Sequence, residues 1–310
     1  MISIVQLEYI VALQTYQSFG LAAEKCFISQ PTLSAQIHKA EETLGIKLFD
    51  RSKKPIQPTS KGEEIVAQAR VVLREFAKIQ EIANEKQGIV QGEVHLGIIP
   101  TLAPYLLPLF LVKFIEKYPD VKISVAELTT EEIVQKVKLG MLDAGLLATP
   151  LGETTLDIHP IFYEPFVAYV SRNSNLFEKK TLDTGDVDIQ DIWLVNEGHC
   201  LRSQVLNLCD KNNHRNKNFD YQTGSIEALK RIVEMDKGIT ILPELSVNGL
   251  KPEEMDLVRY FNDPEPVREI SLVHHRNVVK KRLLNVLLAE IRLNIPSKMI
   301  QKETKRVIDI

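Results

Sequence analysis

Ser29-Gln30-Pro31-Thr32-Leu33-Ser34, running on to Leu44, reads as a helix with a serine cap, a proline in its first turn and two distinct faces. Serine before a helix accepts hydrogen bonds from the unpaired N–H groups of the first turn, and proline is tolerated there because no N–H is needed. Leu33, Ile37, Ala40 and Leu44 form the buried stripe. Gln30, Ser34 and His38, at i, i+4 and i+8, share another face with Thr32 and Gln36 nearby. Short polar side chains in that arrangement suit base edges in a DNA major groove. Upstream, Leu7, Ile10, Val11 and Leu13 mark an amphipathic helix, and Ser18 caps a second that carries Ala22-Ala23. Helix, tight turn and helix with a polar face make a helix-turn-helix.

Charge supports this through its placement. The first 62 residues carry seven basic and five acidic side chains, a net of only +2, within a chain of net charge −3. Five of the bases, Lys47, Arg51, Lys53, Lys54 and Lys61, fall in one Pro-punctuated stretch with the single acid Asp50. Such a patch meets phosphates and makes binding salt-dependent. A hairpin there would be a wing on the DNA backbone.

Ser18-Phe19, Ala22-Ala23-Glu24, Ser29 to Ser34, Glu41, Leu44-Gly45, Leu48-Phe49-Asp50-Arg51 and Thr59 to Gly62 resemble the N-terminal domain of LysR-type transcriptional regulators. The resemblance implies a winged helix-turn-helix in which Gln30, Thr32 and Ser34 contact bases and Arg51 and Lys61 contact the backbone. Lys53, inside the basic patch, joins them as a DNA-binding candidate.

Ser60-Lys61-Gly62-Glu63 reads as a capping box. Ile65, Ala69, Val72, Phe76, Ile79 and Ala83 then alternate spacings of four and three, as the seam of a coiled coil does. The alternative is a stripe packed on the chain's own core. A two-fold linker helix would place two reading helices on half-sites of a roughly palindromic double-stranded operator.

From Gly88 strands alternate with helices: strands at 94–98, 121–125 and 144–147, helices at 106–116 and from Thr129 to Gly140. A second set follows, with strands at 166–170, 191–195, 239–242 and 270–273, a helix bearing Cys200, and helices at 225–235 and 280–293. Alternation of this kind predicts α/β layering on a parallel sheet. The resulting expectation is α+β overall: a domain at 1–62, a dimerising linker helix at 63–87, and a two-lobed α/β regulatory domain of periplasmic-binding-protein-like architecture at 88–310. Lobe I would comprise about 88–161 and 269–298, lobe II about 162–268, with crossings near His159 to Glu164 and Pro264 to Arg268. The charged tail after Pro296 is expected to fray.

Cys200 and Cys209 are two of only three cysteines. If Leu201, Val205 and Leu208 mark the buried side of a helix, the sulfurs sit roughly 13 Å apart along its axis and about 180° around it. A disulfide needs Cα atoms within about 7 Å, so joining them would unwind the helix. The pair is therefore either two inert core thiols or a redox switch that remodels its scaffold. Cys200 in the first turn gains from unsatisfied N–H groups and the positive end of the helix dipole, which favour a thiolate. Cys26, beside Ala22-Ala23, reads as a small buried hydrophobe.

Within the family the second half resembles the peroxide-sensing members, on Pro100-Thr101, Pro104 to Pro108, Glu197 to Arg202 with Cys209, and Gly238-Ile239-Thr240 with Leu242-Pro243. That resemblance implies Cys200 as the thiol that attacks hydrogen peroxide and Cys209 as its resolving partner. Thr101, Thr130, His199 and Arg268 would surround the peroxide, with Arg202 supporting. It further implies a cytoplasmic homodimer or homotetramer that works with RNA polymerase and is reset by a thiol reductant such as glutaredoxin or thioredoxin.

Other classes fit less well. A LysR-type regulator binding a small organic anion between its lobes is the main alternative. His199, Cys200, Cys209 and His214 lack the short knuckle spacing of structural zinc sites, so no metal and no cofactor is expected. No nucleotide loop, triad spacing or acid pair points to an enzyme. The most apolar stretch, Tyr105 to Ile115, is too short to span a bilayer and contains Lys113, so no membrane role is expected.

Overall fold

The computed structural model describes residues 1–85, 90–195, 200–209, 225–235, 238–301 and 305–310, the side chains of 80–85 and 190 excepted. It divides into two compact units, 1–89 with 277–279, and 90–276 with 280–310.

In the first unit the caps are where local chemistry puts them. Helices α1 (Ile4–Tyr16), α2 (Phe19–Lys25) and α3 (Gln30–Leu44) start at Ser3, Ser18 and Ser29, whose hydroxyls accept from Gln6, Leu21 and Thr32 N–H. Ile10, Leu13, Leu33, Ile37 and Ala40 fill the core. Strands β1 (Phe49–Asp50) and β2 (Gln57–Pro58) pair antiparallel as a short wing, followed by the long helix α4 (Ser60–Glu85).

Two expectations are corrected here. The cap of α4 is Thr59 rather than Ser60: the Thr59 hydroxyl accepts the Gly62 N–H at 3.0 Å and donates to the Lys47 carbonyl at 2.8 Å, so one side chain fixes both helix and wing. Gly62 belongs to the same junction, because a Cβ there would lie 1.9 Å from the Leu48 carbonyl oxygen. The apolar stripe of α4 also divides. Ala69 and its neighbour Val66 are buried and Ile65 packs on the core of this unit, whereas Phe76 and Ile79 are 51% and 64% exposed. Its first turns are thus an internal face, because Arg70 draws them onto α1 by donating to Gln14 and Thr15 at 2.6 and 2.8 Å. Ala83 lies outside the described side chains.

The second unit is built on two long strands. Its elements are β3 (Gly92–Ile98), α5 (Ala103–Lys117), β4 (Val121–Glu127), α6 (Thr130–Lys138), β5 (Ala144–Thr149), β6 (Leu156–Val170) and β7 (Thr181–Leu182). There follow α7 (Cys200–Leu208), α8 (Ile226–Met235), β8 (Ile239–Pro243), α9 (Pro252–Met255), β9 (Val258–Phe261), β10 (Glu265–His275), α10 (Lys281–Asn294) and β11 (Lys305–Val307). Strands β4, β3 and β5 are parallel, as alternation with helices requires. Beyond them the sheet is mixed, since β10 runs antiparallel to both β5 and β6. The reason is topological: β6 and β10 are the crossings between lobes, one outward and one returning. Lobe I carries β4-β3-β5-β10 and the start of β6, and lobe II carries the end of β6 with β8, β9 and β7.

The strand expected at Asp191–Val195 is instead a 3-10 turn at Ile189–Asp191 and one bridge from Ile192 to Ile239. It meets only the first residues of β8, through Trp193 N–H to the Ile239 carbonyl and the Thr240 hydroxyl to the Trp193 carbonyl, so no ladder extends.

The tail does not fray. Strand β11 pairs parallel with β10, Glu265 to Val267 facing Lys305 to Val307. Ile308 is buried in the core of lobe II. Gln204 and Asn207 of α7 donate to the carbonyls of Ile308 and Asp309 at 3.2 and 3.1 Å. Charge misled the reading because its apolar contacts, Met299 and Ile308, are spaced far apart in a basic segment. Among the described residues no helix is long and apolar enough to cross a membrane.

Candidate functional site

On the first unit, Gln30 and Thr32 stand exposed on the first turn of α3, with Ser34 half-buried beside them. The Thr32 and Ser29 hydroxyls are 2.8 Å apart. Arg51 leaves the wing to lie over the Phe19 ring at 5.2 Å, donating to Ser34 at 3.4 Å and to Glu41 at 3.3 Å. Glu41 is the hub: buried, it accepts the N–H groups of Leu48 and Phe49 at 2.8 and 3.3 Å and so pins the wing to α3. The sequence names Glu41 but gives it no role, because its partners come from a turn seven residues on. Lys53 and Lys61 are exposed, 3.4 Å from Gln57 and 2.9 Å from Glu64. Exposed contacts of this kind, the Lys61–Glu64 ion pair included, are weak and can exchange for phosphate.

On the second unit, Cys200 is the first residue of α7 and Cys209 follows its last. The Cys209 N–H still donates to the Val205 carbonyl at 3.2 Å. Both are buried, at 6% and 2% exposure, and all three cysteines are thiols. Cys209 belongs to the apolar core with Leu201, Val205 and Leu208. Cys200 instead lines a cleft of about 470 Å³ with Ser203 of α7, Thr130, Val134 and Gln135 of α6, and Ile310 of the tail. Thr129 caps α6 by a reciprocal pair with Glu132, which sets Thr130 at the helix start. The buried Thr130 hydroxyl has no hydrogen-bond partner at normal bonding distance. It lies close enough to the sulfur to pull the Cys200 thiol pKa down.

That pull does not win. Burial pushes the Cys200 thiol up, and the Arg268 charge, the Thr130 hydroxyl and the N–H groups of Leu201 and Cys200 only offset part of the rise. Desolvation of the anion at this buried position outweighs one helix turn and a neighbouring charge.

Behind the cleft lies a buried ion pair. Arg268 of β10 faces Glu164 of β6 in register, and both are fully buried. Arg268 donates from Nε and Nη2 to Glu164 Oε2 at 2.9 and 2.8 Å, and to the Thr101 hydroxyl and carbonyl at 3.0 and 3.2 Å. Glu164 also accepts the Leu245 N–H at 2.9 Å. The expected peroxide set is therefore split. Thr130 shares the cleft with Cys200, whereas Thr101 and Arg268 form a layer of their own whose charge reaches the sulfur. His199 lies outside the described residues. Arg202 donates to the Val195 carbonyl at 3.1 Å. Glu164 was missed, its only signal being one acid in the apolar run Phe162 to Phe166.

Residues 4–63 match the bacterial regulatory helix-turn-helix protein family of lysR type, and residues 87–294 match the LysR substrate binding domain. The chain belongs to the LysR family of transcriptional regulators. It is 36% identical over 271 residues to the hydrogen peroxide-inducible genes activator of Haemophilus influenzae, covering 86% of this chain and 89% of that one. It is 33% identical over 273 residues to the Escherichia coli DNA-binding transcriptional dual regulator OxyR, covering 86% and 88%. A full-length OxyR variant from Pseudomonas aeruginosa superposes with a TM-score of 0.83 over 98% of this chain and 99% of that one, at 31% identity. This LysR-family regulator thus has the fold of OxyR, and its first unit is a DNA-binding helix-turn-helix domain.

Proposed function

We propose that this regulator is a peroxide sensor in which Cys200 is the reacting thiol and Cys209 resolves it, with α3 reading the operator. The observation that carries the reading is Cys200 at the start of α7, on a cleft beside the buried Thr130 hydroxyl. Its relatives in H. influenzae and E. coli bear names of the same kind.

The steps balance without a cofactor. The Cys200 sulfur attacks one peroxide oxygen, an S–O bond forms as the O–O bond breaks, and the leaving oxygen departs as water with the thiol proton. Thr130 can donate to that oxygen without adding charge. The Cys209 thiol then attacks the sulfenic sulfur, expelling a second water, so two thiols have given two electrons to peroxide. Thr101 and Arg268 act as the charged layer behind the sulfur, and His199 is assigned by resemblance alone. A thiol reductant such as glutaredoxin or thioredoxin reverses the bond.

The alternative effector, an organic anion, meets Glu131 on the same cleft, where Glu153 is already paired with Lys138 at 2.6 Å. The Glu131 carboxylate disfavours an anion and leaves a neutral peroxide unaffected. The exposed Phe76 and Ile79 are the part of α4 available for a second copy, consistent with a homodimer or homotetramer on a roughly palindromic operator. RNA polymerase and a cytoplasmic setting complete the reading.

A thiol map by mass spectrometry during peroxide titration tests the sensor. We expect a Cys200 to Cys209 disulfide at the lowest doses with Cys26 untouched; uptake of peroxide first at Cys26, or at none of the three, would refute it. The DNA assignment has its own test. Lys53→Ala or Lys61→Ala should weaken binding to all DNA and lower the salt slope by about one, whereas Gln30→Ala or Ser34→Ala should cost about 1 to 3 kcal/mol mainly on the cognate site. Equal losses on cognate and random DNA for all four variants would remove α3 as the reader.

A further inference from the structure

We propose that Asp157, His159 and His274 bind a divalent first-row transition-metal ion of the zinc class, at a site in lobe I separate from the thiols. Asp157 of β6 and His274 of β10 are register partners, and His159 lies two residues further along β6. The period of two therefore sets all three on one face of the sheet. One ligand atom from each lies within 4.8 Å of the others. The imidazole rings stack at 4.8 Å between centroids, with their Nε2 atoms 3.0 Å apart.

The second contact of His274 decides what its Nε2 can do. Its Nδ1 is 2.9 Å from the His275 carbonyl oxygen, which only accepts, so Nδ1 carries the proton and the neutral ring presents a bare Nε2 lone pair. Metal-bound histidines are oriented by the same kind of outer contact. Two such nitrogens facing each other need an electrophile between them. A proton on His159 Nε2 is one solution, and a metal ion that replaces it is the other. Tetrahedral zinc, with bonds of about 2.0–2.1 Å, sets its nitrogens roughly 3.3 Å apart, so the rings need open by only a few tenths of an ångström.

Imidazole donors select zinc-like ions over magnesium or calcium. Asp157 is half-buried and His159 exposed, which gives access from solvent and leaves the fourth position to water. Arg276 competes, its Nε 3.7 Å from Asp157 Oδ1. Arg292 lies nearby and is held by the Pro160 carbonyl at 2.6 Å. The ion would tie β6 to β10 through side chains, where the strands already share a ladder.

The test is calorimetric titration of Zn²⁺ into the full chain carrying Cys26→Ser, Cys200→Ser and Cys209→Ser, so that thiols cannot bind the metal, with Co²⁺ absorption reporting histidine coordination. One equivalent should bind, with no response to Mg²⁺. His159→Ala, at an exposed position that leaves the fold intact, and Asp157→Asn should each weaken it at least about tenfold. Arg276→Ala should tighten it by removing the competing cation. No uptake by the parent chain, unchanged affinity in both ligand variants, or weaker binding in Arg276→Ala would each overturn the site.

Discussion

Cys200→Ser is expected to abolish the response to low peroxide, Cys209→Ser to react once and then over-oxidise, and Cys26→Ser to respond as the wild type does. Only Cys200 combines a helix start, a cleft and the Arg268 charge, and the first oxidation step needs nothing from Cys209. In the wild type the second step has a structural requirement. Cys200 and Cys209 bracket the whole of α7, roughly 13 Å apart along a helical path, and a disulfide demands less than about 7 Å between Cα atoms. Helix α7 must therefore open, and Cys209 must leave the core it shares with Val205 and Leu208. Amide exchange over 201–208 should rise when peroxide is added and return to its reduced level with a thiol reductant. A disulfide that forms with no change in that exchange would mean the helix is no barrier, and a Cys209→Ser variant as slow as Cys200→Ser would erase the division of roles.

The second large effect is expected from Arg268→Met. Removing one partner of a buried ion pair leaves an uncompensated charge, a loss of about 3–5 kcal/mol. Glu164 would remain fully buried with the Leu245 N–H as its remaining contact. Burial already pushes the Glu164 carboxyl above the ordinary range, with Arg268 opposing it, so the variant should raise it further. A carboxyl whose folded pKa is raised binds its proton more tightly when folded. Stability then falls as pH rises from the ordinary carboxylate range up through the raised folded pKa and recovers as pH falls. Urea melts should show Arg268→Met least stable at neutral pH, regaining part of the loss under acid conditions, and Glu164→Gln in the same chain should restore much of it. An equal loss at every pH would mean that packing rather than charge governs the crossing.

Local chemistry was legible in the sequence. Ser18, Ser29 and the Thr129 to Glu132 box cap helices through contacts three residues away, so a short window contains all the atoms involved. Thr59 shows the limit of that logic. It caps α4, but its donation to Lys47 twelve residues back made it the better cap than Ser60. The apolar stripe of α4 was visible, but which turns face α1 depends on Arg70 reaching residues more than fifty positions earlier. Of the thiol site, Cys200 and Thr130 could be named and do meet. Glu164 could not, because a lone acid in an apolar run acquires meaning only when Arg268 arrives opposite it from 104 residues on. His159 and His274 stayed hidden for the same reason, 115 positions apart.

The tail has a consequence for synthesis. The bonds from Gln204 and Asn207 reach across 104 and 102 residues, and Ile308 completes an apolar core begun at Phe166. Contacts of such separation form late, and a chain made from its N-terminus cannot form these until residue 308 has left the ribosome. The reading domain, whose caps and core lie within its first seventy residues, has all its partners well before then. A growing chain can therefore complete the fold of its first unit before α7 gains its last contacts.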